Sequence, residues 1–137
     1  MKFDDKYFAR LIFTPQQVDK NLKNALRNLD IAKRDTILDV KFTYAYSALI
    51  KAGIALLSFY NLKVRSISGH HVKIIEMLAK ILKDEAVEDI GNVMRSKRNL
   101  DLYSGGAEIT EKEVHEYIRL VEKALIMIQG IITDKKP

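Results

Sequence analysis

The stretch from Ala45 to Ser58 reads AYSALIKAGIALLS. Its apolar residues Ala45, Ala48, Leu49, Ala52 and Leu56, with Tyr44 before them and Phe59 after, recur at helical spacing and do not alternate. The pattern predicts a helix from about Asp35 to Tyr60. Its many small residues let neighbouring helices approach closely, which places this segment at the centre of a helical bundle.

Helical periodicity continues on both sides. Towards the amino terminus, Thr14 before Pro15 is a helix start, because the Thr oxygen caps a free amide while Pro suits the first turn. Val18, Leu22, Ala25, Leu26 and Leu29 then share one face of a helix ending near Arg34. Towards the carboxyl terminus, Asn61 and the Ser66, Ser68, Gly69 cluster mark a loop, and Val72, Ile75, Leu78, Ala79 and Leu82 form the stripe of a third helix. A fourth runs from about Glu85 to Tyr103 and stops at Ser104, Gly105 and Gly106. The fifth opens on Thr110-Glu111-Lys112-Glu113, a capping box, and carries Val114, Ile118, Val121, Leu125 and Ile128 on one face. No segment sustains a period of two, so the expected fold is all-α, a four- to five-helix up-and-down bundle.

The chain has 137 residues, 47% of them hydrophobic, with two prolines and no cysteine or tryptophan. That length makes one domain, residues 1–137, with its core over about 14–133 and a short mobile tail from Asp134 to Pro137. Without cysteine there is no disulfide, no thiolate-bound zinc and no thiol nucleophile, and a reducing cytoplasm is the expected compartment. The amino-terminal MKFDDKYFAR mixes charged and aromatic residues, unlike a secretory signal. The most apolar stretch, Phe42 to Leu62, is broken by Lys51, so no membrane segment is expected.

Lys and Arg total 23 against 18 Asp and Glu, a net charge of +5. The excess is modest, but it is unevenly spread. Lys63, Arg65, Lys73, Lys80 and Lys83 have only Glu76 among them, an acidic cluster follows at Asp84, Glu85, Glu88 and Asp89, and Arg95, Lys97 and Arg98 form a second basic patch. The acidic cluster suits a helix start and shows no metal-ligand spacing.

The fourth helix breaks its own pattern. Val87, Ile90 and Met94 set its apolar phase, and the next positions in that phase are Arg98 and Asp101. A guanidinium there either pairs with a carboxylate, such as Asp101 one turn on, or lines a pocket or dimer groove that awaits a phosphate. Arg95, Asn99 and Tyr103 lie a turn apart on the flank of the same helix. His70 and His71 open the third helix, where the positive end of its dipole favours neutral imidazole; they are either local cap ligands or proton carriers. His115, early in the fifth helix, reads as solvated or partly packed.

AYSALIKAGIALLS, the loop leading into GHHVKIIEML, and a fourth helix reading MRSKRNLDLY before a Gly turn and a capped last helix together resemble the HEPN family over roughly Ala32 to Ile128. The resemblance implies a helical bundle that dimerises through the motif-bearing helices. Many members are metal-independent ribonucleases, often toxins, some paired with a minimal nucleotidyltransferase antitoxin. Their signature is an Arg, a polar residue and then a His a few positions on. Arg98 matches the first and Asn99 the second, but Tyr103 stands where the His is expected. A phenol serves there as a hydrogen-bond donor or acid, not as a base at neutral pH.

Two functions follow as expectations. The first is a homodimer binding RNA or a nucleotide through Arg95, Lys97, Arg98 and Asn99, with Arg98, Tyr103 and His71 as candidate catalytic residues, no cofactor, and a nucleotidyltransferase-type antitoxin as a candidate partner. The second is a non-catalytic interaction module in which Arg98 and Asp101 form a structural ion pair.

Overall fold

The computed structural model describes residues 1–103 and 108–134, with the side chains of 101–103 left out. The expected helix stop at Ser104, Gly105 and Gly106 and the tail residues beyond Asp134 lie outside the described residues. The elements in chain order are β1 (Phe8–Arg10), α1 (Pro15–Arg34), α2 (Leu38–Phe59), β2 (Leu62–Val64), α3 (His70–Leu82), α4 (Glu85–Tyr103) and α5 (Glu111–Asp134). The fold is an all-α bundle with a two-stranded sheet at one side.

The starts of α1 and α5 are chemically specified. Thr14 Oγ1 accepts the Gln17 amide at 3.1 Å while Gln17 Oε1 accepts the Thr14 amide at 2.8 Å, and Pro15 fills the first turn of α1. At α5 the reciprocal pair is Thr110 and Glu113, whose amide donates to Thr110 Oγ1 at 3.1 Å. The end of α1 is held from the next helix. The ammonium of the buried Lys41 donates to the carbonyls of Lys33 (3.2 Å) and Asp35 (3.0 Å), satisfying acceptors that the helix itself leaves open.

Helix α2 packs on every other helix, most extensively on α1. Phe42, Ala45, Tyr46, Ala48, Leu49, Ala52, Ala55, Leu56 and Leu57 are all buried, and a narrow stripe through Val40, Tyr44, Ser47, Lys51 and Ile54 is partly open to solvent. It alone among the described helices is long and apolar enough to cross a membrane, and 67% of its most apolar window is buried inside the bundle. Two glycines set the spacing of its neighbours. A Cβ on Gly53 would stand 2.4 Å from Ile74 Cγ2 of α3, and one on Gly91 of α4 would stand 2.9 Å from Ile75 Cγ2 and 3.3 Å from Leu49 Cδ2. At these two points α3 and α4 are drawn in as far as the absence of a side chain allows.

The sheet is absent from the sequence-based expectation. β1 and β2 pair antiparallel with Phe8 opposite Val64, Ala9 opposite Lys63 and Arg10 opposite Leu62. The ladder is extended by Arg65 N–H to Tyr7 O (2.7 Å) and Leu11 N–H to Asn61 O (3.0 Å). Strands of three residues are too short to display alternation. Their purpose is visible in the packing: Phe8, 1% exposed, joins Leu57, Leu62 and Met77 in a second small core that begins well before residue 14.

Replacing Gly53 by Ala is expected to destabilise the protein by about 1–3 kcal/mol, because Ile74 is fully buried and its branched side chain has no room to retreat. A melting temperature lower by roughly 3–10 °C in thermal denaturation is the corresponding readout.

Candidate functional site

The approach of α3 and α4 leaves a groove of about 550 Å³ between the start of α3 and the carboxyl-terminal half of α4. Residues Ser66–Val72 form one wall, and Arg95, Arg98 and Asn99 form the other. For comparison, the cleft between α1 and α5 measures about 270 Å³ and is lined in part by the Lys33–Glu122 ion pair.

Local backbone chemistry shapes the first wall. Gly69 precedes α3 with φ +84°, a left-handed conformation that glycine adopts without strain, and it offers the helix no side-chain cap. The His70 amide turns back to Ile67 O at 3.1 Å, and the first bond along the helix is Lys73 N–H to Gly69 O. The amides of His71 and Val72 are therefore among those a helix start leaves without an intrahelical acceptor.

The second wall carries the charge. Arg98 is exposed, although Met94 one turn earlier is completely buried. The apolar phase of α4 thus runs out at the groove, and the guanidinium is not desolvated. Among the described residues no carboxylate lies within ion-pair distance of Arg95 or Arg98, whose neighbours are Asn92 Oδ1, 3.5 Å from Arg95 Nε, and the Tyr46 ring, whose centroid is 5.8 Å from the Arg98 guanidinium carbon. The Arg98–Asp101 pair considered from sequence involves a side chain outside the described residues, as does the motif position Tyr103.

Tyr46 links the two walls from below. It is 3% exposed, and its Oη lies 2.9 Å from His71 Nδ1. Burial pushes the phenol up to about 12, even though Arg98 and Arg95 pull the other way, so it keeps its proton. Burial likewise lowers the His71 imidazole to about 4, with His70, Arg98 and Arg95 adding to the effect. Both partners are neutral at pH 7. The phenol is the stronger acid of the two, so the hydroxyl is assigned as donor to Nδ1, which leaves the imidazole proton on Nε2.

His70 has the opposite polarity. Its Nδ1 lies 2.7 Å from Ile67 O, and because a carbonyl only accepts, Nδ1 must donate. In the neutral ring Nε2 is then the acceptor. The two rings meet edge to face with centroids 4.5 Å apart. The groove therefore presents two guanidiniums, a hydrogen-bond acceptor and a hydrogen-bond donor.

The remaining sequence candidates fall elsewhere. Lys97 is not on the groove wall: its ammonium pairs with Glu113 of α5, which raises the Lys97 pKa and holds the Glu113 carboxyl below its usual range. His115 is exposed and lies 3.6 Å from Glu111 one turn away, in keeping with a solvated role. Tyr46 is the residue that sequence reasoning passed over in favour of Tyr44. A tyrosine amid alanines and leucines is a usable signal, since a buried hydroxyl needs a partner. Compared with known proteins, the chain matches no family model, no curated protein and no solved structure.

An unperturbed imidazole titrates near 6.5, so between about pH 6.5 and 4 the unfolded chain takes up a proton at His71 that the folded chain refuses. The His71 contribution to stability is level above that window and declines as pH falls through it. His71→Gln is accordingly expected to lose less melting temperature between pH 7 and pH 4.5 than the wild type does; an identical decline would contradict the burial of this ring.

Proposed function

We propose that this protein is a HEPN-like RNA- or nucleotide-binding protein that acts as a homodimer and takes a phosphate of its ligand between Arg95 and Arg98. The observation that carries the reading is a pair of guanidiniums, without a carboxylate among the described residues, facing two imidazoles across an open groove. Arginine forks suit the planar, bidentate geometry of phosphate oxygens, and the open amides at the start of α3 add donors of the same sign. In this reading His71 Nε2–H and Asn99 supply further hydrogen bonds. Val93 and Leu100, seven residues apart on α4 and about half exposed, supply an apolar face for self-association. A nucleotidyltransferase-type antitoxin is the partner that the family likeness suggests.

Ribonuclease activity is the second part of the proposal. His70 Nε2 is the acceptor suited to the ribose 2′-hydroxyl proton, and the arginines would hold the charge that builds on the phosphorus-bound oxygens as the 2′-oxygen attacks and the 5′-oxygen leaves. The leaving 5′-oxygen would take its proton from water, and the resulting ends would be a 2′,3′-cyclic phosphate and a free 5′-hydroxyl. His71, held neutral, is suited to donating a hydrogen bond and not to acting as a strong acid, so binding is expected to be stronger than turnover.

The test is labelled single-stranded RNA in EDTA, with wild type beside Arg98→Ala. Wild type should bind in a salt-sensitive way, and the variant should lose about 0.7 from the slope of log affinity against log salt. Its melting temperature should change little, because loss of an exposed cation–π contact costs about 0.5–1 kcal/mol. A loss of roughly 3–5 kcal/mol would instead favour the interaction-module reading, in which Arg98 belongs to a buried ion pair. Equal, salt-independent behaviour of both proteins towards RNA would overturn the proposal.

A further inference from the structure

The amino-terminal segment, which contributes nothing to the groove walls, lies directly against one of them. A Cβ placed on Gly69 would stand 3.7 Å from the hydroxyl oxygen of Tyr7 and 3.8 Å from its ring. Tyr7 is fixed there by main-chain bonds on both sides. Its carbonyl accepts the Arg65 amide at 2.7 Å, its own amide donates to Asp4 O at 3.0 Å, and Arg65 Nε donates to Asp5 O at 3.1 Å. The ring is only partly buried.

Two ammonium groups attend this ring. Lys6 and Lys73 each lie 5.4 Å from its centroid. Lys73, one helical turn beyond Gly69, lies outside the groove lining and pairs with Glu76 at 3.5 Å; Lys6 is exposed and free to swing on its long side chain. A partly exposed aromatic face with cations beside it, continuous with a wall that faces two guanidiniums, is the combination by which single-stranded nucleic acids are held: bases stack and phosphates track the positive charge.

We propose that Tyr7 is a base-stacking subsite, which receives the base of a single-stranded oligoribonucleotide whose phosphate lies between Arg95 and Arg98, with the exposed Lys6 taking the next phosphate. The inference rests on the reading of the groove as a phosphate site and narrows it, since a ligand that uses both places must carry a base as well as a phosphate.

Calorimetric titration with a short single-stranded oligoribonucleotide, and separately with inorganic phosphate, tests this on wild type, Tyr7→Ala, Tyr7→Phe and Arg98→Ala. Tyr7→Ala should weaken the oligonucleotide about ten-fold, Tyr7→Phe should match wild type, and neither should alter phosphate binding. Arg98→Ala should weaken both ligands. If Tyr7→Ala binds the oligonucleotide as wild type does while Arg98→Ala does not, the stacking subsite is wrong and the phosphate groove stands. If wild type binds neither ligand, the groove reading fails and takes the subsite with it. Should Tyr7→Ala not fold, the wild-type protein decides the matter by NMR: ring-proton resonances of Tyr7 that shift upfield with the oligonucleotide but not with phosphate support stacking, and unmoved resonances refute it.

Discussion

Close packing at two glycines governs how the walls of the groove are arranged. Because Gly53 has no side chain, the Ile74 methyl occupies the space a Cβ would take, and α3 lies tight on α2. Gly91 does the same for α4 against Ile75 and Leu49. With both helices drawn onto α2, the phenol of Tyr46 can touch His71 on one and lie beneath Arg98 on the other. A side chain at either glycine would push apart the elements that Tyr46 bridges. The cost of overpacking, about 1–3 kcal/mol, is large for a domain of marginal stability.

The groove that results is electrostatically one-sided. Arg95 and Arg98 both act to keep His71 uncharged, and both pull on the Tyr46 phenol, whose burial nevertheless prevails. Such an accumulation of like charge does not serve folding, since repulsion between the cations opposes the compact state. Elsewhere the protein pairs its cations readily, as in Lys97 with Glu113, Lys33 with Glu122 and Arg34 with Asp30. Among the described side chains the contrast between these paired surfaces and the groove favours an anionic ligand as its counter-charge. Anion binding would in turn make protonation of His71 easier, so occupancy and proton uptake are expected to be linked.

The helices were legible in the sequence because their ends are written in local chemistry. Thr14 before Pro15, Gly69 before His70, and Thr110 three residues before Glu113 each mark a start that the structure reproduces, and the buried faces of α1 and α5 carry the residues whose spacing announced them. The sheet was not legible, since three residues per strand carry no period, and Phe8 reveals its burial only when paired across to β2. Arg98 was recognisable as an exception to the apolar phase of α4, yet its exposure depends on how the helices pack around it, which no helical wheel contains. Tyr46 and Tyr44 are two positions apart on a helix whose small and apolar residues spread over most of its circumference, so the sequence pattern did not tell that Tyr46 is buried while Tyr44 is only partly so. Lys97 looked like part of a basic patch because its partner Glu113 lies on another helix.

The central claim is that the groove is an anion site built around His71. Its most direct test is an NMR pH titration of the His71 ring protons, with and without inorganic phosphate. The account predicts a midpoint near 4 in the free protein, moved upward by phosphate and no longer moved in Arg98→Ala. A midpoint at the ordinary value of about 6.5, or a titration that phosphate leaves unchanged, would contradict it.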